Sequence, residues 1–585
     1  MTFDAGDSFQ IGLVLNEAEQ PIKRQVFTTK NVVANDKTSV WLVDHAWTFL
    51  PNTSREILTA MPLLQARLAA MFMLSNDVLT VEDQKKAVLG KLYQYAQSYS
   101  VTNPNEHEGE NTVTHWYVPD EFGSAIGHSN DPNCRIVPLF HPGFGYAISL
   151  VFPIKDIGDD EELTRDYVNI EFATKHPHWK NILLKVWEED KSLDEVLTQK
   201  RHQITEEYFL LGRIADHIPS LELQATCKPL KYDKNVPVKL YDNDQQLFCN
   251  LKEIKVEFTD NMYEADVIWI RQHFSEFTDL ATKNPTALTN QFPFESSITV
   301  KDLFAANVEL TCGDVPFDEK TMNRAPYWLP VTFNLNTELP QFYKYFMDRQ
   351  EKGLDNTYII KPWNLARSLN MTFSNDISFI MRQMETGPKI VCKYLENTIL
   401  FERPDNKNLV KFDLRYIVYV NSLSPVVKAY TYQKFWPRFG INTFNLDNLE
   451  DTLCHLTVHN YTDKSKVLNM YCDQFIEQFE SQYPNHKWAD IQKQINDVMF
   501  QAITVASTSK PPMGVSPNSQ SRAMYGFDIM LGWKDDTNTE IQAYFLECSF
   551  FPDCLRASTF YPDFADTTFK TLFLNEIELD KVTQI

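Results

Sequence analysis

No two of the nine cysteines stand as a close CxxC pair; they lie at 134, 227, 249, 312, 392, 454, 472, 548 and 554 of a 585-residue chain. Such scatter offers neither a zinc knuckle nor a disulfide framework, and reduced cytosolic thiols are the simpler expectation. Positive charge is also short. Lys and Arg number 55 against 78 Asp and Glu, a net charge of -23, which excludes a general nucleic-acid coat and leaves room only for a local basic groove. Long apolar runs are missing too. The most apolar early segment, residues 60–74, is interrupted by Gln65 and Arg67 and falls short of the roughly 20 residues a bilayer needs, so it reads as a buried helix and no membrane insertion is expected. The opening MTFDAGDSFQ carries acids and no apolar core, so no signal peptide is expected.

Aromatic residues are abundant. Forty Phe, 25 Tyr and 11 Trp in a chain that is 43% hydrophobic argue against disorder and predict two or three domains, each with its own core. Residues 10–33 alternate in two short strand-like runs, and residues 39–45 form a better one. Ile57, Leu58, Met61, Leu64, Leu68 and Met71 predict one helix over 53–73, with Thr53 or Ser54 near its cap. Thr80 caps a second over 80–99, with Glu82 and Asp83 where the helix dipole favours acids. Residues 103–110 read as a polar loop, and strands resume at 112–118. A mostly helical connector covers 171–235, strongly charged over 190–203.

From about residue 236 short strands alternate with helices, which implies an α/β sheet. Tyr358-Ile359-Ile360 delivers Lys361 at its end, a second run surrounds residues 390–395, and a third spans 411–420. In that third run alternation sends Lys411, Asp413 and Arg415 to one face and Phe412 and Leu414 to the other. Lysine acts as a point charge on phosphate oxygens and Arg grips an anion bidentately, so the three runs suit a polyanion such as a nucleoside triphosphate. Asp528 and Glu547, at the ends of runs 527–531 and 542–546, would supply the counter-charge for a magnesium ion. On spacing alone the commoner reading is that these are rim charges. Residues 475–500 predict an amphipathic helix around Pro484, with Trp488, Ile491, Ile495, Val498 and Phe500 as the stripe of its second part. Residues 507–521, rich in Ser and Pro, read as a disordered surface segment.

The order IIKPWNLARS, VCKYLE, KFDLRYIV, HLT, YGFDIML and FLECSFFPD resembles the tubulin tyrosine ligase-like family, whose fold is ATP-grasp-like. The resemblance implies ATP and Mg2+ as cofactors. It implies that Lys301 and Lys361 reach the nucleotide phosphates, that the backbone of Cys392, Lys393, Tyr394 and Leu395 reads the adenine edge, and that Lys411 lies beside the nucleotide with Thr457 as a site hydroxyl. Arg415 is then beside the acceptor or acyl phosphate, Arg438 helps hold the substrate carboxylate, and Asp528, Glu547 and Ser549 are the metal positions. Three positions depart from the family pattern: Ser368 replaces a loop glycine, Val458 an asparagine, and Ser549 the third metal-position asparagine. A serine hydroxyl has shorter reach and a weaker donor oxygen than a carboxamide in a small octahedral shell.

Residues 126–136 and 161–167 resemble the two closing signatures of SET domains, a family of S-adenosylmethionine-dependent lysine methyltransferases. His128 and Tyr167 match, but Gly127 stands where the resemblance places an Asn that touches the methyl donor, and a glycine has no side-chain donor or acceptor. No glycine-rich cofactor strand precedes Trp41 and no cysteine triplet follows Tyr167. S-adenosylmethionine is therefore not expected. His128 reads first as a residue that ties a loop to its neighbours, and Tyr167 as a core or pocket wall.

The expected fold is multidomain. A mainly β SET-like domain over 1–170, with a helical insert at 53–100, is followed by the 171–235 connector and an α/β ATP-grasp-like ligase domain in two parts, 236–355 and 356–585. The resemblance implies tubulin or microtubules as partners, a cytoplasmic and cytoskeletal location with a nuclear fraction, and a link to histone methylation through chromatin-associated or signalling proteins. With three positions altered, the expected protein binds nucleotide and tubulin with weak or no ligase activity and modulates tubulin tyrosination and glutamylation. The alternatives are an active ATP-dependent ligase adding Tyr, Glu or Gly to a protein carboxylate, and a non-catalytic scaffold.

Overall fold

A computed structural model describes residues 8–585 apart from 18, 20, 35, 37, 38, 75–79, 103–111, 144, 169–176, 193–203, 229, 314, 364–369, 459–463 and 536. The polar loop 103–110, Ser368 and most of the charged stretch 190–203 lie outside the described residues. The described residues form two compact units. One contains those of 1–199 and 334–391, the other those of 200–333 and 392–585. Among them no helix is long and apolar enough to cross a membrane, and none of the nine cysteines is in a disulfide.

The first unit opens with the antiparallel hairpin Phe9–Leu15 and Pro21–Thr28. Two three-stranded antiparallel sheets follow, one with Tyr146–Pro153 between Trp41–Val43 and Cys134–His141, the other with Thr112–Pro119 between His45–Phe49 and Gln97–Thr102. Gly127–His128 and Thr164–Arg165 form a two-stranded parallel ladder. Phe9, Val26, Val43, Ile126, Val151 and Leu163 share one buried cluster. The helix expected over 53–73 is two helices, Ser54–Ala60 and Pro62–Met71, because Pro62 has no N–H to continue the ladder and takes the first position of the second helix. The next helix, Val81–Tyr95, starts as expected: the Thr80 hydroxyl accepts the Asp83 N–H at 3.1 Å.

The second unit is organised on the strand Leu409–Ser422. On one edge it pairs with Ala523–Trp533, which pairs with Ile541–Ser549; on the other it pairs with Lys428–Tyr432, Trp436–Phe439 and Leu400–Glu402. Phe412, Leu414, Tyr416, Val418 and Val420 face one buried cluster with the helices Cys472–Gln482 and Trp488–Ala506. Burial of each large apolar side chain there contributes roughly 1.5–3 kcal/mol. The stripe is as expected for Trp488, Ile491, Ile495 and Val498, but Met499 fills the core where Phe500 was expected, and Phe500 is half-buried. The odd-numbered face divides. Ile417 and Tyr419 join a second core with Phe564, Phe569 and Phe573, while 411, 413 and 415 are charged.

Two expectations are corrected in this unit. Asp528 and Glu547 are not at strand ends, because their strands extend to Ala523–Trp533 and Ile541–Ser549 and place both residues in the ladder. Residues 507–521 are not a disordered surface segment. Val515, Ser516, Asn518, Gln520 and Ser521 are buried, the Ser516 N–H donates to the Pro293 carbonyl at 2.9 Å, and the Gln520 amide donates to the carbonyls of Asn284 and Ala287 at 2.8 and 2.9 Å. The polar side chains satisfy backbone groups of another segment, so polarity here does not mean solvent.

Candidate functional site

Strand alternation puts Lys411, Asp413 and Arg415 on one face of Leu409–Ser422, and register supplies their partners. Asp413 is directly opposite Arg438, Arg415 is opposite Asp528, Asp528 is opposite Glu547, and Gly526 is opposite Ser549. Directly opposed residues are the closest cross-strand neighbours, so charges of opposite sign meet without bending the sheet.

The result is a lattice of two anions and two cations. Arg415 grips Asp528 through Nε and Nη2, the latter at 2.8 Å from Oδ2. Arg438 donates from Nε to Asp413 Oδ1 at 2.6 Å and from Nη2 to Asp413 Oδ2 at 2.8 Å, and the same Nη2 lies 2.8 Å from Asp528 Oδ2. The Thr457 hydroxyl donates to Asp413 Oδ2 at 2.5 Å. Both carboxylates are buried. Burial alone would raise the Asp528 pKa, but the Arg415 and Arg438 guanidiniums outweigh it and hold the carboxyl at about 2. For Asp413 burial wins: its pKa is raised, with the charge of Asp528 adding to the effect and Arg438 opposing it.

Sequence reasoning missed Gly526. A Cβ built there would meet Arg415 Nη1 at 3.1 Å, Arg415 Cδ at 3.2 Å and the Pro552 ring at 3.2 Å, so this glycine is the floor on which the Arg415 side chain rests. The signal was a glycine inside a mostly apolar strand, which marks a close approach. Gly526→Ala is expected to push Arg415 off Asp528 and to cost about 1–3 kcal/mol, the usual range for overpacking. Urea denaturation measures this. A loss below about 0.5 kcal/mol, the range of neutral surface changes, would show that Arg415 does not need that floor.

The remaining candidates in the second unit lie nearby in sequence or register. Lys301, the first residue of the helix Lys301–Cys312, places Nζ 3.3 Å from Glu547 Oε2. Lys393 Nζ donates to Glu396 at 2.7 Å and to the Tyr394 carbonyl at 3.0 Å, and the Lys393 N–H donates to the Val331 carbonyl at 2.8 Å. Cys392 is buried and Leu395 half-buried. The Lys411 ammonium sits 3.8 Å from the centre of the Tyr394 ring, a cation–π contact. Tyr394 is fixed in turn by His455. Because the Asn448 carbonyl can only accept, His455 Nε2 (3.0 Å) carries the proton and Nδ1 accepts the Tyr394 hydroxyl at 2.8 Å. His455 was legible as the first letter of HLT but was not among the expected site residues. Lys361 is buried in the strand Tyr358–Pro362 of the first unit.

These residues can be tested against the magnesium ion that the family resemblance implies. Mg2+ takes one or two carboxylates plus phosphate oxygens and waters, so Asp528 and Glu547 would suffice in number. Their surroundings do not fit. Both Asp528 oxygens accept from guanidiniums, which puts two cations where the ion would sit, and Glu547 faces the Lys301 ammonium. Among the described residues no group of three or more His, Cys, Asp and Glu can hold a metal.

The sequence model described as "Tubulin-tyrosine ligase family" matches residues 280–585. The chain belongs to the tubulin-tyrosine ligase family. A tubulin--tyrosine ligase-like protein 12 from Caenorhabditis elegans is 39% identical over 638 residues, covering 100% of this chain and 94% of that protein. The Mus musculus protein of the same name is 34% identical, covering 100% of this chain and 91% of its own length. A tubulin glycylase 3D from Tetrahymena thermophila is 30% identical over 32% of this chain. A second model, "Tubulin tyrosine ligase SET-like domain", matches residues 15–191. The protein is therefore a multidomain tubulin-tyrosine ligase family member with a SET-like region and an α/β ligase-domain region consistent with an ATP-grasp-like fold.

In the SET-like part of this family member, Gly127 has a structural reason. A Cβ there would lie 2.7 Å from Glu162 Oε1, whose position is fixed by the Gln25 amide at 2.9 Å. Glu162 thus takes space that an asparagine side chain would need. His128 Nδ1 accepts the Tyr167 N–H at 3.2 Å, and the Tyr167 hydroxyl donates to the Ile126 carbonyl at 3.0 Å. The two expected residues are brought together, and both tie their loops.

Proposed function

We propose that this tubulin-tyrosine ligase family protein binds nucleotide and the acidic tails of tubulin with weak or no amino-acid ligase activity, and modulates tubulin tyrosination and glutamylation. The observation that carries the proposal is Asp528. Its carboxylate is shared by Arg415 and Arg438. A ligase needs a divalent ion to neutralise the triphosphate while a carboxylate attacks its terminal phosphorus. Here that anion is already neutralised by protein cations, and Ser549 offers only a hydroxyl at the third position. Lys411, in the same unit, supplies a cation for nucleotide phosphates. The similarity to proteins named tubulin--tyrosine ligase-like protein 12 supports tubulin as the partner and a cytoplasmic, microtubule-associated location.

The test is isothermal titration of ATP into the full chain with and without Mg2+, beside an assay of radiolabelled Tyr, Glu or Gly transfer to tubulin. ATP binding is expected to change less than about threefold on adding Mg2+, Glu547→Gln to leave it unchanged, and transfer to be absent. Magnesium-dependent binding together with transfer lost in Glu547→Gln would overturn the proposal in favour of an active ligase.

A further inference from the structure

Arg165 and His128 are directly opposite each other in the parallel ladder of Gly127–His128 and Thr164–Arg165. Opposed residues of a ladder project to the same face. Both also border one ring: the Arg165 guanidinium carbon is 4.5 Å from the centre of Tyr167, and the His128 ring is 5.2 Å from it. Among the described residues each carries a hydrogen-bond donor with no acceptor in place. Arg165 Nε is buried and has no partner among the described residues. His128 Nδ1 is committed as the acceptor of the Tyr167 N–H, so the proton resides on Nε2, and that buried nitrogen has no partner either. The Arg165 carbonyl accepts the Ser129 N–H at 3.1 Å and acts on the His128 ring from nearby, but it is not in hydrogen-bond geometry with Nε2.

The charge around this pair is as unbalanced as its hydrogen bonding. Among the described residues the ionisable groups facing the Arg165 guanidinium are Tyr167, Tyr117 and Cys134, which are neutral at pH 7, and a second cation, Arg382. Arg382 makes the contrast plain: it is paired with Glu385 and donates to the carbonyls of Tyr93 at 2.7 Å and Ala96 at 2.9 Å. The acids bordering the pair are engaged elsewhere. Asp166 Oδ2 accepts from Lys180 at 2.7 Å and its Oδ1 from the Val168 N–H at 3.0 Å, 3.7 Å from His128 Nδ1, while Glu162 accepts from Gln25. A lysine in such a place could discharge, but a guanidinium stays protonated in proteins, so an uncompensated Arg165 needs an anion.

We propose that Arg165 and His128, over the Tyr167 ring, form a binding site for a carboxylate. The guanidinium edge and the imidazole N–H would each donate to one planar carboxylate, the geometry for which Arg is suited. The Tyr167 hydroxyl is spent on Ile126, so its ring is the wall of the site. The two donor nitrogens are buried, and the edge of the site reaches solvent at the His128 and Asp166 side chains, which keep 22% and 21% of their surface. It discriminates against an ammonium group such as a lysine side chain, because the same charges that attract an acid repel a cation. The carboxylate comes either from an acidic peptide or from a free small acid. The inference does not rest on the proposed ligase-domain function, as none of its residues belongs to that site.

The experiment uses the full chain. Fluorescein-labelled hexaglutamate is titrated by anisotropy with hexaglutamine as control, and glutarate is added as competitor and titrated alone by calorimetry. Binding of hexaglutamate or glutarate, but not hexaglutamine, is expected, weakened at least tenfold in Arg165→Gln and at least threefold in both Arg165→Lys and His128→Gln. Binding of glutarate alone assigns the free acid as the source, and binding only of the peptide assigns the acidic chain. Should Arg165→Gln fail to fold, as judged by its melting curve, the other two variants still decide, because each changes the geometry of one of the two donor groups. Equal affinity of folded variants and wild type, or no binding of either acid at millimolar concentration, would overturn the proposal.

Discussion

Asp528→Ala is expected to destabilise the second unit by about 3–5 kcal/mol, the range for breaking a buried ion pair from one side. The substitution removes the carboxylate that Arg415 and Arg438 share and leaves their guanidiniums competing for Asp413. Asp528→Asn keeps the shape and one acceptor oxygen and should lose less. Urea denaturation followed by tryptophan fluorescence reads both. The lattice also predicts a pH dependence. The folded-state pKa of Asp528, about 2, lies below its ordinary 3.8, so its stabilisation is fully present above pH 3.8 and is lost as pH falls through 2. The difference is worth about 2 kcal/mol. Wild type should lose that much across this window relative to Asp528→Asn. Parallel pH profiles for the two proteins, or an Asp528→Ala midpoint equal to wild type, would mean that the arginines do not depend on Asp528.

Glu295→Gln is expected to stabilise the protein at pH 8 by about 4 kcal/mol. Glu295 is buried. Its Oε2 accepts from the Tyr525 hydroxyl at 3.0 Å and the Phe292 N–H at 3.4 Å. The other ionisable groups that bear on it are Asp216, His273 and Cys548; His273 Nε2 is 2.8 Å from Asp216 Oδ1. Burial pushes the Glu295 carboxyl up to about 8 from 4.5 despite the Tyr525 bond. A folded-state pKa raised in this way stabilises fully below pH 4.5 and loses the contribution as pH rises through 8, because the unfolded chain ionises freely and the native site must hold a proton or a buried charge. A glutamine keeps the acceptor for Tyr525 and never ionises. The two proteins should therefore converge near pH 4.5 and separate steadily toward pH 8. Denaturation midpoints at pH 5 and 8 test this, and an equal gap at both values would place the Glu295 pKa in the ordinary carboxylate range.

The two variants also separate the roles of neighbouring strands. Asp528 lies on the polar face of Ala523–Trp533 with Arg415, whereas Tyr525 and Phe527 belong to its core face. Asp528→Ala therefore perturbs the lattice that the proposed function depends on, and Glu295→Gln acts beneath it. Unchanged nucleotide binding in Glu295→Gln with altered binding in Asp528→Ala would be consistent with that division.

Much of this architecture was legible in the residues themselves, because it rests on local periodicity. Alternation of charge with Phe412 and Leu414 identified the faces of the central strand, 3.6-residue spacing identified the stripe from Trp488 to Val498, and Thr80 marked a helix start. Each depends on neighbours within about one turn of helix or one strand, where covalent geometry sets which side chains share a face. The ligase family order was legible for the same reason, as its motifs are contiguous.

What the tertiary structure decided is which group each of these residues meets. Arg415 and Asp528 are 113 positions apart, and Arg438 reaches Asp413 and Asp528 only because three strands are in one register. The Ser- and Pro-rich stretch 507–521 has the composition of a solvated loop, yet Gln520 is buried against carbonyls more than 230 residues away. Gly526 is an ordinary glycine until Arg415 lies across it. Composition and period record the preference of a side chain for burial or water, whereas hydrogen bonds and ion pairs need particular partners at fixed distances. Those partners are brought together by strand register and packing, so the sequence by itself determined the family, the elements and the polar face, and the folded chain alone determined that the charges on that face close on one another.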